Sequence, residues 1–273
     1  MVRRHKPWLL LLALVLVATG CSRLTFIRPK MERKDGEQIA PTYQVSDSAE
    51  TKRRMEVERA LALATQRLQA GDLDVAERGA RAAMKADSQS ADAQTILAVV
   101  AEQRGQAKAA GEHYRRATEL APGRGAEQNN YGAWLCSNGY PAESLVWFDR
   151  ALQDSEYETP AAVLANAGGC ADKAGQRERA ERDLRQALAL DPRNAFGLLS
   201  MAEHEYRAGR YFEARAFVER RLAAAPASAD VLKLASQIEE RLGDRTAAGR
   251  YVQQLRAEFP DASDAQTGGK AEQ

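Results

Sequence analysis

The sequence repeats itself most clearly around residues 91–124, which read ADAQTILAVVAEQRGQAKAAGEHYRRATELAPGR. The central glycine of this stretch belongs to a series spaced by 34, 34, 36, 34 and 34 residues: Gly71, Gly105, Gly139, Gly175, Gly209 and Gly243. A fixed period near 34 residues indicates a helical repeat array, in which each unit is a helix–turn–helix and a glycine occupies the turn.

Small residues keep the same phase as these glycines. Five residues after each glycine stand Ala76, Ala110, Ser144, Ala180, Ala214 and Ala248, and seven residues before each stand Ala64, Ala98, Gly132, Gly168, Ala202 and Ser236. Close packing between helices requires such side chains. A plain alanine-rich bundle would show a 3.6-residue period but no long-range register.

This pattern resembles the tetratricopeptide repeat (TPR) family over about three quarters of the chain. The resemblance implies an all-α fold, a right-handed superhelical solenoid of six TPR helix-turn-helix repeats. The repeat domain is predicted for residues 51–262, with repeats at 57–90, 91–124, 125–158, 161–194, 195–228 and 229–262. Two extra residues, Thr159 and Pro160, separate the third repeat from the fourth.

The N-terminal residues predict export and lipid anchoring. Residues 1–20 have a basic start and a short apolar run, as in a signal peptide, and the run is too short to span a bilayer. Their end, VATGC at 17–21, resembles the bacterial lipobox and predicts lipidation of Cys21. An ordinary signal peptide with an incidental cysteine is the alternative. Ser22 in place of aspartate favours the outer membrane, with the protein facing the periplasm. Residues 21–50 are interpreted as a flexible tether and 263–273 as a disordered tail.

Charge and motifs limit the function classes. Removal of residues 1–20 would change the formal net charge from +1 to −2, which argues against nucleic acid as a partner. The sequence has no paired-carboxylate constellation, serine elbow, phosphate-binding glycine loop or metal-ligand spacing. We therefore predict that the protein is not an enzyme and needs no cofactor, metal or small-molecule substrate.

Two cysteines remain after lipidation of Cys21. Cys136 and Cys170 fall in the first helices of repeats three and four, which lie side by side in such an array. In an oxidising periplasm this pair is predicted to form a disulfide. Two buried free thiols are the alternative.

The surroundings of these cysteines resemble a narrower family. Residues 129–136 (NNYGAWLC), 157–160 (YETP) and 166–171 (NAGGCA) are similar to the type IV pilus biogenesis lipoproteins of the PilF/PilW type. The resemblance implies a pilotin, an outer-membrane lipoprotein that binds the type IV pilus secretin and promotes its localisation and multimerisation. A TPR scaffold for peptidoglycan-modifying enzymes or for outer-membrane barrel assembly is the alternative.

Several residues of these motifs also have structural interpretations. Asn130 and Asn166 share a repeat position at which TPR units carry a structural asparagine, and Gly132 and Gly168 belong to a small-residue column. Two aromatic residues, Trp134 and Trp147, are interpreted as wedges between helices.

The repeat register also predicts a binding groove. In TPR arrays the first helix of each repeat lines the concave side. The groove positions of repeats one, two and five hold Leu61, Thr65, Leu68, Thr95, Val99, Phe196, Leu199 and Tyr206. An apolar residue directed into a solvent-facing groove has no core to serve, so we expect it to contact a ligand or to be covered by a neighbouring segment. The groove positions of repeat six are polar, which is typical of a solubilising cap.

Overall fold

The computed structural model describes residues 47–262, and all six repeats lie within them. The helices of this part of the chain are α1 Ala49–Gln69, α2 Leu73–Ala86, α3 Ala91–Gln103, α4 Ala107–Leu120, α5 Gly125–Ser137, α6 Pro141–Ala151, α7 Pro160–Lys173, α8 Arg177–Leu190, α9 Ala195–Arg207, α10 Tyr211–Ala224, α11 Ala229–Leu242 and α12 Arg245–Glu258. Each repeat contributes two of them, which confirms the predicted all-α TPR solenoid. None of the described helices is long and apolar enough to cross a membrane. The predicted signal peptide, Cys21, most of the tether and the tail at 263–273 lie outside the described residues.

The first helix is longer than its repeat frame. It begins at Ala49, whereas the frame begins at residue 57 and the tether was predicted to end at residue 50. Ser48 caps it, because its Oγ accepts a hydrogen bond from the Thr51 N–H at 3.0 Å. The N-terminal boundary of the helical domain is therefore corrected to residue 48.

A glycine in the left-handed conformation joins the two helices of each repeat. The φ angles of the six periodic glycines lie between 71° and 91°, a region that strains any residue with a Cβ atom. At the end of α3 the Gly105 N–H donates to the Glu102 carbonyl at 2.9 Å, and the Gln106 N–H donates to the Ala101 carbonyl at 2.8 Å. These bonds satisfy carbonyls that the helix end would otherwise leave free. The 34-residue period thus reflects one backbone requirement, met once in each repeat.

Paired helices approach closely where the small residues stand. A Cβ atom on Gly132 would lie 2.9 Å from Phe148 Cε1, and one on Gly168 would lie 2.6 Å from Leu184 Cγ. Phe148 and Leu184 are fully buried. Gly132 and Gly168 are therefore packing residues that admit larger side chains from the second helix.

The buried side chains form clusters that neighbouring repeats share. The cluster between repeats three and four contains Cys136, Leu145, Phe148, Val163 and Cys170. The longer connection at this junction contributes to it, since Tyr157 packs against the same cluster. The two extra residues start the next helix: Thr159 is the N-cap residue of α7 and Pro160 is in its first turn.

Arginine residues link neighbouring repeats at the surface. Four ion pairs connect consecutive repeats: Arg104 with Glu77, Arg179 with Asp149, Arg207 with Asp172 and Arg215 with Glu239. The exposed pairs among them contribute at most about 1 kcal/mol each. Asp172 and Glu239, in contrast, are almost fully buried where they pair with Arg207 and Arg215. Apolar burial between repeats is therefore the main stabilising contribution to the stack.

Candidate protein-binding face

The first helices of the repeats form one side of the stack. α1 contacts α3, and the same contact recurs between α3 and α5, α5 and α7, α7 and α9, and α9 and α11. The predicted groove residues all lie on three of these helices, α1, α3 and α9. We call the surface defined by Leu61, Thr65, Leu68, Thr95, Val99, Phe196, Leu199 and Tyr206 the inner face.

The N-terminal part of the inner face is also the edge of a core. Leu61 and Leu68 are half-buried and pack against a cluster to which α3 contributes Ile96 and Leu97. The expectation that groove leucines serve no core is corrected here, because both pack against a cluster of α1, α2 and α3 residues. Thr65 lies one turn from each leucine and is exposed.

In α3, too, the inner-face residues are half-buried. Val99 is half-buried and packs against the cluster that joins repeats two and three. Thr95 is half-buried as well, and its Oγ1 atom is buried without a hydrogen-bond partner among the described residues. The surface that remains for a partner here is a narrow strip rather than a deep groove.

The C-terminal part of the inner face exposes more apolar surface. Phe196 is 49% exposed, and its ring lies beside Gly169 of the preceding repeat, where a Cβ atom would be 3.5 Å from Phe196 Cε1. Leu199 and Tyr206 are half-buried against the cluster of repeats five and six. Of the predicted apolar groove residues, Phe196 is the one with the largest surface free for a ligand.

A pocket of about 370 Å³ opens between α9 and α11, next to Tyr206. It is lined by Tyr206, Leu234 and the charged or polar residues Glu203, Arg207, Asp230, Lys233 and Gln237. Three of the polar groove positions of repeat six, Asp230, Lys233 and Gln237, thus line a pocket beside the inner face.

A disulfide joins the first helices of repeats three and four. Cys136 in α5 and Cys170 in α7 are bonded at 2.04 Å, and their Cα atoms are 5.9 Å apart. Both residues are buried. A side-chain hydrogen bond crosses the same pair of helices, from Asn166 Nδ2 to Asn129 Oδ1 at 3.0 Å. The structural asparagine of repeat four thus bonds Asn129, not its repeat equivalent Asn130.

An aromatic group lies between the inner face and the second helices of repeats two and three. Trp134 is half-buried above Gly111, whose Cβ atom, if present, would be 2.4 Å from the indole ring. Tyr131 stacks on Trp134 with ring centroids 5.9 Å apart, and Trp147 meets Tyr131 edge-on at 4.9 Å. Both tryptophans therefore act as wedges between helices, and Gly111 provides the space for one of them.

The helix that carries Tyr131 and Trp134 also carries a buried carboxylate. Glu127 is 2% exposed and pairs with Arg124 at 2.9 Å. Burial raises the pKa of Glu127, and the Arg124 guanidinium partly opposes that rise. The other nearby charges, Asp92 and Asp154, raise the pKa further. This junction therefore holds a carboxylate that is less readily ionised than an exposed one.

Sequence reasoning missed part of this surface. Leu234 lines the pocket beside Tyr206 but occupies a repeat position that was not expected to face the groove. Arg207 lines it as well and was not among the predicted groove residues. The sequence signal for Arg207 was its place directly after Tyr206 near a helix end. Asn129 was missed because the repeat pattern marks only its neighbour.

The chain is similar to known TPR proteins and to two type IV pilus proteins. Two family models described as tetratricopeptide repeat match residues 61–124 and 171–238. The chain is 28% identical over 193 residues to type IV pilus assembly protein PilF of Pseudomonas aeruginosa, which covers 71% of this chain and 77% of that protein. The crystal structure of PilW, described as a widely conserved type IV pilus biogenesis factor, matches with a TM-score of 0.69 and 29% identity over 77% of this chain and 98% of the PilW chain. The structure of Pseudomonas aeruginosa PilF matches with a TM-score of 0.67 and 26% identity over 80% of this chain and 100% of that chain.

The helix pairs, their glycine turns and the matching family models define the chain as a tetratricopeptide repeat protein. Within that class it is similar to the type IV pilus biogenesis factors PilF and PilW. The resemblance indicated by the residues around Cys136 and Cys170 is thereby confirmed.

Proposed function

We propose that the protein is a pilotin of type IV pilus biogenesis. It would bind the pilus secretin with its inner face and promote localisation and multimerisation of the secretin in the outer membrane. The observation that carries the proposal is the extent of the similarity to PilF and PilW, which includes 98% of the PilW chain and 100% of the PilF chain. The similarity is one of sequence as well as of fold, because the identity is 29% for PilW and 26% for PilF.

The chemistry of the inner face supports binding of a polypeptide segment. Half-buried leucines and the exposed ring of Phe196 provide apolar contacts for alternate side chains of an extended or helical segment. The charged pocket beside Tyr206 provides polar contacts that can fix the direction of the segment. Such surfaces commonly support binding without any change in the scaffold.

The inner face is tested by changing Thr65 to glutamate. The Thr65 side chain is exposed between two leucines that the core needs, so Thr65→Glu adds a charge to the strip without removing core contacts. We expect binding to the secretin to weaken about tenfold, because the charge would lose water on binding without gaining a partner. The measurement is the amount of denaturant-resistant secretin multimer in outer-membrane fractions, by immunoblot.

Gln66→Glu is the matched control for this variant. It makes the same change in charge at an exposed position on another side of α1, so secretin multimers should stay at the wild-type level. Other outer-membrane barrel proteins should be unaffected by either variant. Equal multimer levels in Thr65→Glu and Gln66→Glu cells would exclude the inner face of repeat one as the secretin site, and a general loss of barrels would favour a general assembly scaffold.

The lipid anchor is tested separately with Cys21→Ala. Without the acyl chains the protein has no predicted membrane anchor, so we expect it to be recovered from the soluble periplasmic fraction. Secretin multimers in the outer membrane should then decrease at least about tenfold, because this protein and the secretin that it binds are no longer directed there. Immunoblots of both proteins in separated membrane fractions measure this. Normal outer-membrane multimers with a soluble Cys21→Ala protein would show that the lipid does not transport the secretin.

A further inference from the structure

The junction between repeats two and three is linked differently from the other junctions of the array. At each of the other four, an arginine of one repeat pairs with an acidic residue on a helix of its neighbour, and a disulfide also joins repeats three and four. Within residues 47–262, no side-chain hydrogen bond or ion pair joins α3 or α4 directly to α5 or α6.

The polar contacts nearest to this junction involve the connection before α5. Arg124, the N-cap residue of α5, pairs with Asp92 of α3 and with Glu127 of α5. Because Arg124 belongs to the connection itself, these pairs fasten the connection and not the facing helices. The facing helices are held by apolar contacts, in a cluster that includes Tyr114 of α4 and Tyr131 of α5. Such contacts are non-directional, so they tolerate a change of angle between the helices.

The same junction contains buried polar atoms without a hydrogen-bond partner. Four such side-chain atoms occur within residues 47–262, and all belong to α3 and α5: Thr95 Oγ1, Glu127 Oε2, Gln128 Oε1 and Trp134 Nε1. A buried polar atom without a partner is destabilising, and it gains hydrogen bonds to water when it is exposed. Opening this junction is therefore favoured by its polar atoms, whereas opening any other junction breaks an ion pair.

The other repeats carry apolar residues where two of these polar residues stand. At the positions of Glu127 and Gln128, repeats four and six both have a buried valine followed by a buried leucine: Val163, Leu164, Val231 and Leu232. Repeat three thus departs from the apolar pattern at the surface where repeats pack.

Repeat two shows how the glutamine can be satisfied. Gln94 precedes Gln128 by one 34-residue period, and its Oε1 atom lies 2.7 Å from His113 Nδ1. Trp147 occupies the position of His113 in repeat three, so Gln128 lacks this partner.

Packing is also incomplete between the second helices at this junction. A pocket of about 560 Å³ opens between α4 and α6, with Glu119 on one side and Trp147 on the other. Side chains that line such a space lose van der Waals contacts on that side. Fewer contacts therefore oppose a change of angle here.

We propose that the array bends at the junction of repeats two and three, with repeats one and two moving as one block against repeats three to six. The disulfide keeps repeats three and four together within the second block. The hinge lies between the N-terminal part of the inner face, on repeats one and two, and its C-terminal part, on repeat five. Bending changes the distance between these two parts while the packing within each block is kept. This motion belongs to the free protein and goes beyond the proposed binding of a secretin.

The test measures distances between spin labels by double electron–electron resonance. The full mature chain carries Cys21→Ala, and Cys136 and Cys170 are protected from thiol labels by their disulfide. One label pair is placed by Arg78→Cys and Arg182→Cys, and the other by Val146→Cys and Arg250→Cys. All four positions are exposed, lie seven residues after a periodic glycine and are three repeats apart within each pair.

Each label pair spans three junctions, but only the first pair spans the junction of repeats two and three. We expect its distance distribution to be at least about twofold broader than that of the second pair, which is the matched control. Equal widths would overturn the proposal. No secretin is present in this measurement, so its result is independent of the proposed function.

A second variant tests the cause of the motion. Glu127→Val combined with Gln128→Leu gives repeat three the residues of repeats four and six and removes two of the partnerless atoms. The first distribution should narrow towards the second, which should not change. A folded double variant with an unchanged first distribution would also reject the hinge as argued. Circular dichroism shows whether the variant folds, and if it does not, the comparison of the two label pairs in the otherwise unchanged chain decides.

Discussion

Replacement of Cys136 and Cys170 by alanine should lower the free energy of unfolding by up to about 4 kcal/mol, the value expected from closing a loop of this length. The two cysteines are separated by 34 residues, and the bond connects the first helices of adjacent repeats. Without it the unfolded chain gains conformational freedom, and the repeat-three to repeat-four junction keeps its packing, the Asn166–Asn129 hydrogen bond and the Arg179–Asp149 ion pair. Alanine is preferred over serine because both sites are buried and a serine hydroxyl would lack a partner.

The measurement is urea unfolding followed by circular dichroism, with and without a thiol reductant. Reductant should shift the wild-type midpoint to the value of the double-alanine variant and should leave that variant unchanged. Mass spectrometry under non-reducing conditions gives an independent reading of the bond in the mature chain. A wild-type midpoint that does not respond to reductant, with two titratable thiols, would contradict the disulfide.

Phe148→Ala should destabilise the protein by about 3–5 kcal/mol, the range observed when large buried aromatic side chains are truncated. The Phe148 side chain is 0% exposed and fills the space that Gly132 leaves between the helices of repeat three. The surrounding helices cannot collapse fully into the cavity, because the disulfide holds α5 against α7. Thermal and urea unfolding of the purified domain measure the loss.

Phe212→Ala is the matched control for this substitution. The same side chain is removed, but Phe212 is 71% exposed, so the expected change is within about 0.5 kcal/mol. Combining Phe148→Ala with the cysteine double variant should give less than the sum of the separate effects, because all three residues belong to one cluster. Equal destabilisation by Phe148→Ala and Phe212→Ala would refute the assignment of Phe148 to the core.

The turn positions are the part of the fold that follows most directly from the sequence. All six periodic glycines occupy left-handed turns between paired helices, as predicted. The prediction succeeds because a positive φ angle is a local requirement that only a few residue types meet easily. The start of α1 was predicted less well, since its N-terminal extension lies before the repeats and only the capping contact of Ser48 marks it.

The binding surface could be predicted only in part. Repeat position assigned residues to the first helices correctly, because helix periodicity determines which side of a helix a residue occupies. It did not determine exposure, which depends on residues of the neighbouring repeat. Leu61 and Leu68 are half-buried because they pack against the cluster of α1, α2 and α3, while Phe196 is exposed beside a glycine.

The hydrogen-bonding state of Gln128 had no recognised signal in the sequence. Gln94 and Gln128 occupy equivalent repeat positions, so the sequence alone does not distinguish their surroundings. Their difference comes from a residue in the second helix, where His113 is replaced by Trp147. The missing hydrogen bond could be identified only after the helices were in place, although the change of residue type in that repeat column was visible beforehand.

The sequence by itself determined the repeat class, the number of repeats, the turn positions and the pair of helices that carry Cys136 and Cys170. These properties follow from backbone conformation and from a period that recurs along the chain. Tertiary structure alone decided how much of each inner-face side chain is exposed, which asparagine bonds Asn166, and that Gln128 keeps a free acceptor. The physical reason is that burial and hydrogen bonding depend on distances between side chains of different repeats, which no single repeat encodes.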